Sequence, residues 1–291
     1  MTKSALTSLF AMILLAFAAH MAPACTIFTV VQGDTVLFGG NEDQTPNASF
    51  LVVDTSGKYG AVYVATPWGG GQLLRQTGVN EKGLCYDSNW IPDENLVPHP
   101  NLKAAKELPF VTFLMECATV EEVLKRLSTI NWGDRCDYQL HFADATGDAA
   151  VIHPGNDGEL TYTRKRKGDG HLISTNFNLE RLGSSDWSCW RYSTADKMLS
   201  LSEATGAVSV ESAKDVLEAT SQSDAGLYSI YSALYDLKNL RIYLYYGQDY
   251  SAPIMLDVKM ELNNWKKGMQ KPLMELIQAI GSADNGPALW R

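Results

Sequence analysis

The residue with the most chemistry within reach is the first cysteine, Cys25, because of what precedes it. Lys3 is the one charge ahead of an apolar run of 15 residues, Ala5–Ala19, and Ala22-Pro23-Ala24 then supplies the small-x-small pattern that signal peptidase cuts after. The apolar run is short of the roughly 20 residues that span a bilayer. The spacing predicts a secretory signal over residues 1–24 and a mature chain that starts Cys-Thr-Ile-Phe. Cys25 would then carry a thiol and a free α-amine on one residue. These are a nucleophile and a base with reference pKa values near 8.5 and 8, and a nucleophile activated by an amino group is a known route to covalent catalysis. Three other readings of Cys25 stay open: a lipidated cysteine, an ordinary buried cysteine, and half of a disulfide. The lipidated reading fits poorly, since Ala22-Pro23 stands where a lipoprotein signal normally carries leucine and a small residue.

Composition removes several function classes. Taking 24 residues from 291 leaves 267, enough for one large core, and no Pro- or Ser-rich linker divides them, so a single domain over 25–291 is expected. The net charge of −9 becomes −10 once Lys3 leaves with the signal. The longest basic run, Arg164–Lys167, adjoins Gly168-Asp169-Gly170 and reads as a solvated hairpin loop, so no nucleic-acid partner is expected. No later apolar stretch reaches membrane length, so no transmembrane segment is expected after signal removal. Five cysteines in an exported chain leave one free thiol even if the others pair, and the sequence does not fix any pairing of Cys85, Cys117, Cys136 and Cys189. Neither the cysteines nor the five histidines show metal-ligand spacing, so no metal and no cofactor is expected.

The elements that must position Cys25 begin at once. Thr26–Val31 and Thr35–Phe38 are β-branched and aromatic runs joined by Gln32-Gly33-Asp34, which reads as a hairpin. Phe50–Asp54 and Ala61–Ala65 form the next pair. A helix is predicted from Val120 to Ser128, with Thr119 and Glu122 as a capping box and Val120, Val123, Leu124 and Leu127 on one face. Strands return at Tyr138–Ala143, Ala149–His153 and Glu159–Thr163. Helices follow at Ser193–Leu201 and Val210–Ala219, then strands at Leu227–Tyr235 and Arg241–Tyr246. A tail helix is predicted over Asn263–Ile280, kinked at Pro272. Blocks of strands and helices without β-α-β alternation predict an α+β domain with mainly antiparallel sheets rather than a doubly wound nucleotide fold.

Cys25-Thr26-Ile27-Phe28 followed by Phe38-Gly39-Gly40-Asn41-Glu42-Asp43 resembles the start of the cysteine N-terminal-nucleophile hydrolases, closest to the choloylglycine hydrolase group of bile-salt hydrolases and penicillin V acylases. The similarity continues through Asn80–Leu84, Phe110–Leu127, Leu140–Ile152, Ser174-Thr175-Asn176, Trp190-Arg191-Tyr192 and Tyr228–Tyr246, in order along most of the mature chain. The resemblance implies an αββα sandwich and cleavage of linear, non-peptide C–N amide bonds through a Cys25 thioester. It implies that Asp43 holds the α-amine, that Asn176 is an oxyanion donor, and that Arg191 braces the nucleophile. A guanidinium close to Cys25 would also favour the thiolate. Asn89 is the match for a second oxyanion donor across a one-residue gap, with Ser88 and Trp90 as alternatives. One position departs: Gly40 stands where the family usually carries an arginine, and Arg75, from a following segment, is the candidate to replace it.

The expected function is therefore an exported, periplasmic or secreted amidase or acylase acting on a small-molecule N-acyl amide, such as penicillin V, an N-acyl homoserine lactone or a conjugated bile salt. The alternatives are an acyltransferase, in which an amine replaces water, and a lipid-anchored binding protein on the same fold. A homo-oligomer is compatible with this reading. The tetramer of the bile-salt hydrolases is not carried over, because the Asn176–Arg191 interval is too short for the loop that helps assemble it.

Overall fold

The computed structural model describes residues 25–44, 48–105, 109–183, 189–223, 226–265 and 270–276; the predicted signal, residues 1–24, lies outside them. Strand alternation builds two large antiparallel sheets. One holds six strands in the order β12 (Gly170–Ser174), β1 (Thr26–Gln32), β2 (Thr35–Gln44), β13 (Tyr228–Asp236), β14 (Arg241–Tyr246) and β15 (Ile254–Asp257). The other holds eight, in the order β11 (Leu160–Lys165), β10 (Ala149–Pro154), β9 (Arg135–Ala143), β6 (Cys85–Asn95), β5 (Gln72–Asn80), β4 (Ala61–Trp68), β3 (Phe50–Asp54) and β16 (Gln270–Pro272). A short parallel pair, β7 (Lys103–Ala104) and β8 (Ile130–Asn131), lies apart from both.

Successive side chains of each strand point to opposite faces, and both faces are covered. From β1, Ile27 and Val31 point between the sheets and pack with Phe38, Val62, Val64 and Tyr235. Phe28 and Val30 point outward against Ala195 and Leu199 of α3 (Trp190–Ala204) and Ala213, Val216 and Leu217 of α4 (Val210–Thr220). On the far side, Tyr63, Tyr86 and Phe142 of the eight-stranded sheet pack under α1 (Pro109–Glu116) and α2 (Val120–Leu127). The order of layers is helices, sheet, sheet, helices, the αββα sandwich that the resemblance implied. Hydrogen bonds cross the seam as well: His141 bridges Thr29 Oγ1 at 3.0 Å and Ser174 Oγ at 3.1 Å, and burial pushes its imidazole down to about 3, so it sits there neutral.

Several expectations are sharpened or corrected. Thr119 Oγ1 caps α2 by accepting from the Glu122 N–H, and Glu122 reaches back to the Ala118 N–H rather than that of Thr119. Helix α1 was not expected, and α3 starts at Trp190 rather than Ser193. The basic run is only half a loop. Arg164 lies in β11 and pairs with Asp148 and Glu121, and Lys165 donates to the Gly147 carbonyl at 3.1 Å, while Arg166 and Lys167 are exposed. The tail is not one helix. Asp257 caps α5 (Val258–Asn264) through the Met260 N–H at 3.0 Å, and Gln270–Pro272 then pairs with β3 as an edge strand. Pro272 has no N–H to give a helix and holds Lys271 extended, which suits an edge strand there; residues 266–269 and 277–280 of that expected helix lie outside the described residues. All five cysteines are unpaired, which removes the disulfide reading of Cys25. No described helix is long and apolar enough to cross a membrane.

Candidate active site

Cys25 stands at the head of β1, the second strand of the six-stranded sheet, with the edge strand β12 on one side and β2 on the other. Pairing of Thr26 with Asn41 lets the end of β2 run past the start of β1, which sets Glu42 and Asp43 beside Cys25. A bulge in β13 between Ser229 and Tyr231, opposite Asp43 and Glu42, bends the strands there. Ile27 pairs with Ser174, so the chain leaving β12 carries Asn176 to the same end of the sheet. The opposite sheet contributes Asp87, Asn89 and Trp90 from β6, and the first turn of α3 contributes Arg191.

These residues meet. Arg191 is 7% exposed and its Nη1 donates to the Cys25 carbonyl at 2.7 Å and to Thr26 Oγ1 at 3.1 Å. Its Nη2 donates to Asn176 Oδ1 at 3.2 Å, and Nη1 lies 3.9 Å from Asp43 Oδ2. Asn89 Nδ2 also donates to the Cys25 carbonyl, at 3.2 Å, while its buried Oδ1 finds no partner among the described residues. Asn176 Nδ2 donates to the Trp90 carbonyl at 2.9 Å. Asp43 is fully buried and accepts from Gln222 Nε2 at 2.8 Å and from Ser229 Oγ. The five residues singled out from sequence thus converge on one point.

The field at that point is negative, which corrects one expectation. The Cys25 thiol donates to Glu42 Oε1 at 3.7 Å. Burial pushes the thiol well above its ordinary range, and the charges of Glu42, Asp43 and Asp87 push it further; the backbone N–H of Asp43 acts the other way. Arg191 directs its donors to the Cys25 carbonyl, Thr26 and Asn176, and burial with the three acids holds the thiol in its protonated form. Asp43 is raised to about 6 by burial, held from rising further by Ser229, Gln222 and Arg191. Burial also raises Glu42 and Asp87 well above the carboxylate range. The thiol must give up its proton during attack, to a base beside it.

Gly40 is explained by the same acids. A Cβ built on Gly40 would fall on Asp87 Oδ2, so Asp87 fills the space in which a residue-40 side chain would lie. Arg75 does not reach the site: it pairs with Asp54 at 2.8 Å and lies over the Tyr63 ring at 4.7 Å. Beside Cys25 opens a cavity of about 620 Å³, walled by Glu42, Trp68, Leu74, Trp90, Phe110 and Tyr138 among others. Sequence reasoning missed Glu42 and Asp87. The one available signal was that each sits two residues from a residue that was singled out or questioned, Glu42 from Gly40 and Asp87 from Asn89.

Over residues 30–250 the chain matches the protein family described as Acyl-coenzyme A:6-aminopenicillanic acid acyl-transferase. The chain belongs to this family. Within this acyl-transferase family chain the match begins after Cys25, and covers Asp43, Asn89, Asn176 and Arg191. No curated protein matches it. Among solved structures, a variant of the conjugated bile acid hydrolase from Clostridium perfringens superposes with a TM-score of 0.63 at 14% identity, covering 85% of this chain and 96% of that one. Penicillin V acylase from Agrobacterium tumefaciens gives 0.62 at 15% identity, with 86% and 90% covered. The family and the fold are those that the N-terminal-nucleophile resemblance predicted.

Proposed function

We propose that the mature protein begins at Cys25, is exported, and cleaves a linear C–N amide of a small N-acyl amine through a Cys25 thioester. The observation that supports this most is the placement of Cys25. It is a buried thiol opening onto a cavity, at the head of a core strand, with its carbonyl held by both Arg191 and Asn89 and with Asp43 alongside. Removal of residues 1–24 frees the α-amine. The amine takes the thiol proton as sulfur bonds to the amide carbon, and the resulting ammonium returns that proton to the leaving nitrogen as the C–N bond breaks. Water then attacks the thioester, the amine again carries the proton, and the acid leaves with the thiol restored. Asp43 stabilises the ammonium stage by its charge. The buried, unpartnered Oδ1 of Asn89 is an acceptor for a donor that appears on processing or with substrate.

The test is to place one extra residue between Ala24 and Cys25 and confirm the new terminus by intact mass. The added peptide bond turns the amine into an amide with no basicity, so acyl-enzyme formation with a panel of N-acyl amides should stop although the thiol remains. Full activity with the confirmed extra residue would overturn the proposed base. Two other readings are weighed by the same protein. A lipid anchor on Cys25 is disfavoured because a side chain only 3% exposed at the start of a core strand has no room for it. The acyltransferase reading draws support from the family's description, and is separated from hydrolysis by whether an added amine captures the acyl group.

A further inference from the structure

We infer that the cavity selects an N-acyl amine whose acyl group carries a positive charge on the carbon next to the scissile carbonyl, with Glu42 as the counter-ion that determines this preference. The inference rests on the amidase reading above and names its substrate class.

Glu42 is nine-tenths buried and yet forms part of the cavity wall next to Cys25. Its Oε1 is saturated, accepting from Gln76 Nε2 at 2.6 Å, from Gln44 Nε2 at 3.0 Å and from the Cys25 thiol at 3.7 Å. Its Oε2 has no hydrogen-bond partner among the described residues. That oxygen is not among the fully buried atoms that lack a partner, so it faces the cavity, where a ligand can supply the donor. Among the described residues no lysine, arginine or histidine lines the cavity, and Asp137 adds a second acid at its mouth. Asp43 and Asp87 lie close behind and deepen the negative field at Cys25. The remaining wall is aromatic, with Trp68, Trp90, Phe110 and Tyr138. Aromatic faces attract cations, and an anionic ligand would lose its water here with no counter-charge to meet it.

Distance decides which part of the ligand meets Glu42. Sulfur attacks the carbonyl carbon, so a group on the adjacent carbon lies two bonds from the reacting atom, and Glu42 Oε1 lies 3.7 Å from that sulfur. An ammonium on that carbon meets Oε2, and its apolar side chain runs along the aromatic wall. The fitting class is therefore amides of apolar α-amino acids and related α-amino aryl acyl groups. Burial raises the Glu42 carboxyl, and an arriving ammonium would oppose that by favouring its ionised form.

Three matched anilides test this: the 4-nitroanilides of phenylalanine (each enantiomer), of 3-phenylpropanoic acid and of benzylmalonic acid. They share a leaving group and a phenyl ring and differ in an ammonium, a hydrogen or a carboxylate at one carbon. Hydrolysis by the mature protein and by Glu42→Gln is measured near pH 6.5, below the amine's reference pKa of about 8. Binding of the same three to Cys25→Ala is measured by calorimetry. The expected order is ammonium, then neutral, then carboxylate, with about tenfold or more between the first two in both kcat/KM and Kd. Glu42→Gln should collapse that gap, since the amide still accepts from Gln76 and Gln44 without the charge. Equal binding of the ammonium and neutral ligands by Cys25→Ala would overturn the inference, as would a gap that survives in a folded Glu42→Gln protein. Ordered binding without hydrolysis of any anilide would support the cation site and count against the amidase reading.

Discussion

Replacing Arg191 with methionine keeps most of the stem and removes the guanidinium that ties the site together. A hydrogen bond to a charged group contributes about 1.5–3 kcal/mol. Not every bond of Arg191 is lost outright, because the Cys25 carbonyl keeps Asn89 at 3.2 Å. What is left exposed to loss is Asn176 Oδ1, now 3.2 Å from Nη2, and Asp43, whose pairing with Nη1 spans 3.9 Å. Breaking a buried ion pair costs about 3–5 kcal/mol, and so long a pair belongs at the low end. The expected loss is about 3 kcal/mol of unfolding free energy in urea, a large part of the 5–15 kcal/mol typical of a domain. The pH dependence identifies the cause. Asp43 is raised to about 6 with Arg191 present and rises further without it. A carboxyl raised in the folded state holds a proton that the unfolded chain releases, so its penalty is full above the folded pKa and disappears towards pH 4. The stability gap between Arg191→Met and the parent should therefore narrow as pH falls from 7 to 5. Arg191→Lys retains charge but not the forked donors, and should lie between the two. A methionine variant within about 1 kcal/mol of the parent, with a gap that does not change with pH, would refute the bracing role assigned to Arg191.

Three further outcomes follow from the same geometry. Cys25→Ala should lower kcat by roughly 10⁴-fold or more while the protein still unfolds cooperatively, and Cys25→Ser should retain little, because a hydroxyl yields its proton far less readily; an active alanine variant would remove Cys25 from the mechanism. Gly40→Ala should cost about 1–3 kcal/mol through its contact with Asp87, and the cost should shrink when Asp87 is also alanine; a double-mutant cycle in urea that shows no coupling would contradict the packing described. The pH profile of kcat/KM should fall on the acid side near pH 6, where Asp43 takes up a proton and can no longer stabilise an ammonium; a profile flat from pH 5 to 7 would argue that Asp43 has another role.

The layers of the fold were legible because β-branched runs such as Thr26–Val31 and the cap at Thr119 are local signals, each decided within a few residues. The tail was misread because its periodicity is helical while Pro272, pairing with Phe50 across 222 positions of sequence, needs a partner strand that no local window contains. Asp43, Asn89, Asn176 and Arg191 were found through order along the chain, and the structure brings all four to Cys25. Glu42 and Asp87 were not found. Glu42 lies inside the run Phe38–Asp43 but no role attaches to it there, Asp87 lies in none of the matching segments, and their proximity arises from two sheets facing each other, one giving β2 and the other β6. The sign of the field at the thiol was also illegible, since it depends on acids that two facing sheets bring to one buried point.

The place of β1 between β2 and the late-made edge strand β12 has a consequence for the order of events in making this protein. Strand β1 is fixed on one side by β12, with Ile27 against Ser174. Its flanking strand is therefore not available until the chain has been made past residue 174. Until then β1 has a partner strand on one side only, β2. Once β12 and α3 dock, the thiol is covered and the Cys25 carbonyl is held by Arg191. Under the proposed processing, cutting has to win a race against folding. A slowly folding chain would be activated, and one that closed early would be a stable, correctly folded and silent precursor.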